Sequence, residues 1–271
     1  MKVILGHGFE EMTTQLLRNE AIAEVMSKLK IYLNNGSRID GRPTPLLPGD
    51  YIDGLDLSGI AAPPNGTAPQ AWNDTYKNNR ILIAGFNIYK GVGDTENTEN
   101  HLLFTARNFM AKGRMNATNT NIGGYPDSEL RVWLEGANGD GDGAFANGLK
   151  TALFGQGMNS FAVFQKLHST KGGSAWNQYT VYLPTEIEIH GFASYGDEAH
   201  RMNTNVQFPI YQKIMGYRVK RWNGSRFGYW TGTPTANFSD GFTVVKALGE
   251  ADAVAADQNG YGISPTFCIR D

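Results

Sequence analysis

Between residues 9 and 34, apolar side chains recur every three or four positions, and charged residues occupy many of the positions between them. Phe9, Met12 and Leu16 show this spacing, which is typical of an amphipathic helix. Gly36 follows the pattern, and glycine commonly ends a helix because it tolerates a left-handed backbone. The sequence therefore predicts a long N-terminal helix, which either drives assembly or docking or lies across the body of the domain.

Shorter apolar stretches follow, separated by segments rich in glycine, proline and asparagine. Six of the 11 prolines fall between residues 43 and 69, which predicts a loop. The sequence predicts helices at residues 128–135, 144–154 and 185–190, and strands at 81–89, 101–106 (or the start of a helix), 179–183, 217–222, 227–231, 241–247, 251–256 and 262–269. Because helices come early and short strands late, we predict an α+β fold. We assign residues 1–48 to an N-terminal helix and proline-rich linker, a candidate assembly element, and 49–271 to the main domain.

The composition narrows the classes of function. The formal net charge is −2 and charged residues make up 18% of the chain, whereas general nucleic-acid binding depends on clustered positive charge. The lone Cys268 excludes an intrachain disulfide and a zinc site built from several thiolates. The first residues lack the apolar core of a secretory signal, and no apolar stretch is long enough to span a bilayer. We therefore expect a protein made in the cytoplasm without a signal peptide and without membrane insertion.

Oxygen-bearing side chains alternate with glycines at Asn138, Asp140 and Asp142, an arrangement similar to the first half of a calcium-binding loop. Leu149 stands where such a loop requires a glutamate. The alternative is a solvent-exposed turn, for which Asn, Asp and Gly are also typical residues. These three residues are the candidates for a metal site, with calcium as the ion, but we expect no cofactor.

No catalytic motif is present in the sequence. None of the five histidines has a second ligand at a recognised spacing, and the nucleophile elbow, phosphate-binding loop and dinucleotide fingerprint are missing. Glu186 and Glu188 are two positions apart in a predicted helix, so they face different sides and are not expected to form a carboxylate pair. We expect Pro184 to open this helix and His190 to cap its end. The protein is therefore predicted not to be an enzyme.

Basic residues cluster between positions 213 and 226, where they alternate with aromatic residues. They are Lys213, Arg218, Lys220, Arg221 and Arg226. One interpretation is contact with a phosphate or an acidic glycan. The other is the outward-facing row of an antiparallel strand, since positions 218, 220 and 226 share parity.

Aromatic residues are frequent in the C-terminal part of the chain, where Asn, Ser, Thr, Asp, Ala and Gly surround them. The aromatic residues are Trp222, Phe227, Tyr229, Trp230, Phe238, Phe242 and Tyr261. Aromatic side chains offer large, stiff contact areas and small polar residues offer adaptable hydrogen bonds, which is the composition of a recognition surface. The alternative is that some of these aromatic side chains fill the core of a β-rich domain.

The same region carries a resemblance to a known family. Residues 228–234 (GYWTGTP) and 262–269 (GISPTFCI) resemble the closing half of a bacterial and phage family of C-type lectin-like domains, which includes the variable proteins of diversity-generating retroelements (major tropism determinant-like). Earlier blocks at residues 123–134, 143–145 and 181–186 are similar to this family in the same order. The resemblance covers about residues 49–269 and implies a C-type lectin-like fold.

The resemblance implies ligand or receptor binding through a variable surface within residues 235–261. With Trp222 and Tyr229 added from the aromatic pattern, the candidate ligand-binding residues are Trp222, Tyr229, Asn237, Phe238, Ser239, Asp240, Thr243, Val245, Ala247, Asp252, Val254, Asp257, Asn259 and Tyr261. The family's Trp-Leu-Arg-Ser-Pro is Trp-Thr-Gly-Thr-Pro at residues 230–234, and the interval is less rich in asparagine than a typical template. This copy is therefore either a diversified one or a fixed relative.

The implied setting is a phage or prophage particle. There the protein would be exposed on the particle, would contact other phage structural proteins and would bind a protein or glycan of the host cell surface, as a monomer or a homo-oligomer. One alternative is a structural or decoration protein whose lectin-like domain serves assembly, and another is a glycan-processing enzyme. The same fold carries the formylglycine-generating enzymes, which depend on active-site cysteines. Cys268 lies in an apolar strand pattern, where free cysteine behaves as a small hydrophobic residue, so we do not expect that activity.

The strand patterns also predict which side chains are exposed. Trp230, Phe242 and Cys268 should be buried, and Phe238 should be exposed in the loop between two strands. Tyr229 precedes Trp230 in a strand, where successive side chains point to opposite faces, so we expect Tyr229 to be exposed as well.

Overall fold

The computed structural model describes most of the chain from residue 47 onwards and three short segments before it. The described residues are 3–4, 38–39, 42–43, 47–93, 97–98, 101–154, 161–170, 173–196 and 206–270. The helix predicted at residues 9–34 lies outside these ranges.

Within the described ranges, many short strands and few helices form a mixed α+β fold, as predicted. The strands are β1 (Val3–Ile4), β2 (Arg38–Ile39), β3 (Arg42–Pro43), β4 (Tyr51–Ile52), β5 (Ile81–Phe86), β6 (His101–Ala106), β7 (Ala111–Gly113), β8 (Phe164–Thr170), β9 (Gly173–Tyr179), β10 (Val181–Tyr182), β11 (Lys220–Trp222), β12 (Ser225–Phe227), β13 (Tyr229–Pro234), β14 (Gly241–Val245), β15 (Ala251–Ala255), β16 (Tyr261–Ile263) and β17 (Thr266–Arg270). The helices are α1 (Glu129–Glu135), α2 (Ala144–Phe154), α3 (Glu186–His190) and α4 (Pro209–Lys213).

The larger sheet contains six strands in the order β1-β4-β5-β6-β17-β10, and every neighbouring pair is antiparallel. The apolar runs predicted as strands at residues 81–89 and 101–106 form β5 and β6 at its centre. β17 lies beside β6, where Cys268 is opposite Leu103. Cys268 is fully buried, as predicted, and burial raises the pKa of its thiol well above the usual value.

The second sheet has five strands in the order β15-β14-β13-β16-β7. β13 and β16 are parallel and the other pairs are antiparallel, and a register shift between Trp230 and Pro234 marks a bulge in β13. Trp230 and Phe242 are fully buried, which confirms the prediction for both. The indole Nε1 of Trp230 donates to the backbone oxygen of Gly113 at 2.8 Å, which joins β13 to β7 across the intervening strand.

Helix α1 begins and ends where the sequence predicts. The Ser128 side chain accepts a hydrogen bond from the backbone N–H of Arg131 at 3.2 Å, which satisfies one of the free amides at the start of the helix. Gly136, with a φ of 88°, follows the last turn. Arg131 and Glu135 form a buried ion pair of 3.0 Å along the helix. Burial raises the pKa of Glu135 to about 7, against the opposing effect of Arg131.

Helix α3 differs from its prediction at both ends. Thr185 is the N-cap and forms a reciprocal capping box with Glu188, so Pro184 lies before the helix instead of opening it. Gly191 adopts the left-handed conformation, with a φ of 85°, and caps the C-terminus. His190 is therefore the last helical residue, not the cap. As predicted, Glu186 and Glu188 point to different sites.

The basic stretch contradicts the interpretation of an outward-facing strand row. Residues 215–218 form a 3-10 helix (Met215–Arg218) instead of the start of a strand, and the extended part of the stretch is the β11–β12 hairpin, Lys220–Trp222 and Ser225–Phe227. Lys220 is fully buried and its ammonium group donates to the backbone oxygen of Ala106. Parity failed because Arg226 lies on β12 directly opposite Arg221, so it shares a face with Arg221 and not with Lys220. Lys213, Arg221 and Arg226 are exposed.

Candidate functional site

The candidate ligand residues on β13 and β14 are not on the surface. Tyr229, Thr243 and Val245 are fully buried, so the predicted exposure of Tyr229 was wrong and none of the three is presented on the surface. Every residue of both strands is buried, because both faces of the two central strands are covered by the rest of the domain. The alternation of exposed and buried side chains in a strand requires one face to be open to solvent.

The contacts of Tyr229 show how one face of β13 is filled. Its hydroxyl group donates to the backbone oxygen of Arg218 at 3.0 Å, and its ring lies 6.0 Å from that of Phe109. The Lys220 ammonium group is 5.4 Å from the centre of the same ring. Tyr229 is therefore a core residue with a satisfied hydroxyl group.

The loop between β13 and β14 is exposed, as predicted. Phe238 has 63% of its surface in solvent, Asn237 and Ser239 are exposed, and Asp240 is half-buried. An exposed aromatic side chain gains little from folding, and it is available to anchor a partner.

Asn121 holds this loop in place from a separate part of the chain. Its side-chain amide nitrogen donates to the backbone oxygens of Phe238 and Gly241, each at 2.8 Å. Its backbone N–H donates to the oxygen of Ser239 at 3.0 Å. Asn121 is 1% exposed, so these bonds are made out of reach of solvent. The Phe238 side chain is thus presented on a backbone that is fixed on both sides.

A second exposed apolar side chain lies beside this loop. Ile122 follows Asn121 directly and is 69% exposed. On the other side of Asn121, Asn119 donates to the Asp240 carboxylate at 3.3 Å and accepts from the Ala256 backbone at 3.1 Å. Sequence reasoning missed this segment. The available signal was an isolated isoleucine between polar residues and a pair of glycines.

We call residues 117–123 and 236–240 together the Phe238 surface. The neighbouring segment 257–260 follows Ala256, whose backbone N–H donates to the backbone oxygen of Asp240 at 2.8 Å. These three segments contain the carboxylates of Asp240 and Asp257 and no lysine or arginine. Asn259 is exposed and Asp257 is half-buried, so both candidates border the Phe238 surface.

The other candidates form a second group on one face of the sheet. Trp230, Val244 and Asp252 lie side by side across three strands, and Tyr261 packs on Trp230 at a ring distance of 5.1 Å. Asp252 pairs with Lys246 at 2.6 Å, and Ala247, Val254 and Tyr261 are half-buried. Burial, with the Asp252 carboxylate nearby, raises the pKa of Tyr261.

Trp222 belongs to neither group. It lies on the β11–β12 hairpin, half-buried, where its ring stacks against Phe109 at 6.5 Å. The Lys112 ammonium group is 5.8 Å from the indole. The structure therefore separates Trp222 from the loop that carries Phe238.

The candidate calcium residues lie in the turn between α1 and α2. Asn138, Asp140 and Asp142 are exposed there. The Lys150 ammonium group donates to the backbone oxygen of Gly141 at 2.6 Å, and Asn147 donates to that of Asp142 at 2.7 Å. The turn is thus closed by donors of the chain itself. Among the residues that the structure describes, no group of three His, Cys, Asp or Glu side chains is arranged to hold a metal ion.

The densest cluster of ionisable groups is enclosed in the core. The Lys166 ammonium group lies 2.7 Å from the Glu188 carboxylate, and both side chains are fully buried. The Tyr89 hydroxyl group donates to the same carboxylate at 2.5 Å and also bonds to the Tyr182 hydroxyl group. Burial lowers the pKa of Lys166 and raises the pKa of Tyr89. A substrate could reach these groups only if the core opened, so this cluster is structural.

Glu186 stabilises the surface loop that follows α3. Its carboxylate accepts hydrogen bonds from the backbone N–H groups of Ser194 at 2.9 Å and Gly196 at 2.8 Å. Ala236, within the Phe238 loop, donates in turn to the backbone oxygen of Tyr195 at 3.0 Å. The buried Glu186 therefore helps to order the second side of the exposed loop.

No protein-family model matches this chain, and the comparisons with curated proteins and with solved structures give no match either. Among the described residues, no helix is long and apolar enough to cross a membrane. The function is therefore inferred from the geometry and chemistry of the chain itself.

Proposed function

We propose that the protein is a non-enzymatic binding protein and that it contacts its partner through the Phe238 surface. One observation carries the proposal: Phe238 is 63% exposed on a loop whose backbone is held by the buried Asn121. Interfaces commonly depend on a few aromatic anchors presented on rigid backbone. Ile122, 69% exposed on the adjoining segment, adds a second apolar contact.

The charges of this surface favour a ligand that is not strongly acidic. Asp240 and Asp257 lie in or beside it, and the three loop segments lack a basic residue. An anionic partner would meet like charge there, whereas a neutral glycan or a protein surface with amide and basic groups would not.

The proposed fold is the C-type lectin-like fold implied by the sequence resemblance. The resembling blocks at residues 228–234 and 262–269 correspond to the buried strand β13 and to β16 and β17. The interval between them contains the exposed loop of Phe238. A buried frame around an exposed loop supports a role in recognition, because function can then vary without disturbing the core.

We place this binding protein on a phage or prophage particle, where it would contact a protein or glycan of the host cell surface. The alternative is a structural or decoration protein of the same particle. The two differ in whether the Phe238 surface recognises cells or only other particle proteins.

The test compares Phe238→Ala with Leu248→Ala, a matched control on the β14–β15 turn that is 68% exposed. Both variants remove an exposed apolar side chain, so the free energy of unfolding of each should lie within about 0.5 kcal/mol of the wild-type value. We expect Phe238→Ala to weaken binding to bacterial cells or their isolated surface components by about 2 kcal/mol, and Leu248→Ala to leave it unchanged.

Equal binding by the two variants would exclude the Phe238 surface as the recognition site. Normal cell binding together with failed incorporation of Phe238→Ala into particles would favour the assembly role.

A further inference from the structure

Strand β15 forms one edge of the five-stranded sheet, and its outer side is open. It pairs with β14 in a continuous antiparallel register from Ala251 to Ala255. At the two ends of this ladder, the backbone N–H of Lys246 donates to the oxygen of Glu250 and the backbone N–H of Ala256 donates to the oxygen of Asp240. These two bonds determine which residues of β15 are hydrogen-bonded to β14. Because bonded pairs alternate in an antiparallel ladder, Asp252 and Val254 point their backbone groups at β14. The backbone groups of the three alanines therefore point away from the sheet.

These outward groups have few partners. Within the part of the chain that the structure describes, the oxygen of Ala255 accepts from Gln258 at 3.1 Å, and no strand pairs with the outer side of β15. Every residue of β15 is half-buried, so the strand is partly accessible to solvent. The N–H groups of Ala251, Ala253 and Ala255 are thus available to a further strand.

The other edges of the two larger sheets differ from this one. The opposite edge of the same sheet, β7, is covered by Thr67, which exchanges backbone hydrogen bonds of 2.7 and 3.2 Å with Lys112. In the larger sheet, β1 and β10 at the edges are only two residues long. Proteins usually protect open edges with proline, charged side chains, a bulge or a very short strand. β15 has five residues, no proline and no bulge, and its one charged side chain, Asp252, is paired with Lys246.

We propose that β15 pairs antiparallel with β15 of a second copy of this chain, centred on Ala253. In this register Ala253 faces the partner's Ala253, and Ala251 faces the partner's Ala255. Each of these is a pair of outward-pointing residues, so their N–H and C=O groups bond reciprocally. All facing side chains on one side of the pair are alanines, which leaves no steric obstacle between the strands.

Charge disfavours the neighbouring register centred on residue 252. Asp252 is the only charged residue of β15, and Lys246 already neutralises it at 2.6 Å. Centred on Ala253, the pairing places Asp252 opposite the partner's Val254. A shift that centres it on residue 252 would place two aspartates directly opposite each other, which is unfavourable. The proposed dimer does not depend on the identity of the ligand.

The test measures the mass of the full chain by analytical ultracentrifugation over a range of concentrations. We expect the wild type to form a weak, reversible dimer, and Ala253→Ser to behave like it because serine keeps the N–H group and adds no charge. Ala253→Lys places two ammonium groups opposite each other and should raise the dimer dissociation constant about tenfold or more. A wild type that stays monomeric at its highest soluble concentration, or a dimer that Ala253→Lys does not weaken, would overturn the proposal.

Hydrogen exchange of the wild type provides a second measurement that needs no variant. The amides of Ala251, Ala253 and Ala255 should become protected as concentration rises, whereas those of Asp252 and Val254 should be protected throughout. Exchange of the three alanine amides that is independent of concentration would contradict the pairing, even if the protein dimerises by another surface.

Discussion

At the scale of single residues, His190 illustrates how burial controls a titratable group. Its side chain is 6% exposed, and its Nε2 atom has no hydrogen-bond partner in the part of the chain that the structure describes. The ring packs against Phe192 at 6.1 Å. Burial, assisted by the positive charge of Arg218, lowers the pKa of His190 from 6.5 to about 4. The folded protein therefore keeps this histidine neutral.

This shift predicts a loss of stability in acid. The unfolded chain binds a proton at His190 below pH 6.5, whereas the folded chain does so only near pH 4, so stability falls as the pH decreases between these values. We expect the free energy of unfolding of His190→Leu to equal that of the wild type within about 1 kcal/mol at neutral pH. Near pH 4.5 it should exceed the wild-type value by about 2–3 kcal/mol.

Urea unfolding at the two pH values measures this difference. The raised pKa of Glu135 has the opposite effect on stability, because folding favours the neutral carboxyl group, which forms as the pH falls below about 7. It is present in both proteins and therefore cancels in the comparison. Parallel pH dependences of the variant and the wild type would contradict the assignment to His190.

At the scale of elements, the Phe238 loop depends on one residue outside it. Asn121 supplies the amide donors for the oxygens of Phe238, within the exposed segment, and of Gly241, directly after it. A buried carbonyl oxygen that loses its donor is left unsatisfied, which is more damaging than the loss of an exposed hydrogen bond. The loop is thus ordered by the segment at residues 117–123.

We therefore expect Asn121→Ala to lower the free energy of unfolding by about 1–3 kcal/mol and to weaken partner binding, because the loop is no longer held. Thr118→Ala is the control for stability, since its side chain is exposed on the same segment. Denaturant unfolding and the cell-binding assay measure the two effects. If Asn121→Ala binds like the wild type, rigidity of the loop is not required for recognition.

At the scale of the whole molecule, the Lys166–Glu188 pair joins elements that are distant in the chain. Lys166 belongs to β8, Glu188 to α3 and Tyr182 to β10, and Tyr89 follows β5. The Lys166 ammonium group is also 4.3 Å from the centre of the Tyr182 ring. The pair is fully buried, so each charge is stabilised chiefly by the other and by the tyrosine hydroxyl groups.

Removal of one partner should destabilise the fold far more than removal of both. We expect Lys166→Met to lower the free energy of unfolding by about 3–5 kcal/mol, because it leaves a buried carboxylate without its cation. The double variant Lys166→Met with Glu188→Gln should recover most of this loss, because the introduced amide has no charge and keeps an acceptor oxygen. Denaturant unfolding of both variants is the measurement. A loss below about 1 kcal/mol in the single variant would show that the charges are not mutually required.

Local patterns in the sequence determined most of the secondary structure. The capping serine before α1, the glycine after it and the apolar runs of β5 and β6 all act over a few residues, so they could be recognised without the fold. Burial of Trp230, Phe242 and Cys268 and exposure of Phe238 followed from the same patterns. In these places the local preference and the tertiary environment agree.

Only the tertiary structure decided which candidate residues reach the surface. Tyr229, Thr243 and Val245 are buried because both faces of β13 and β14 are covered, and no local pattern reports what packs on the second face. Lys220 and Lys166 are buried because distant segments supply an oxygen acceptor and a carboxylate for them. Ile122 borders the loop of Phe238 because Asn121 bonds to a segment more than a hundred positions away. Such contacts join residues that are distant in the chain, so local sequence patterns do not report them.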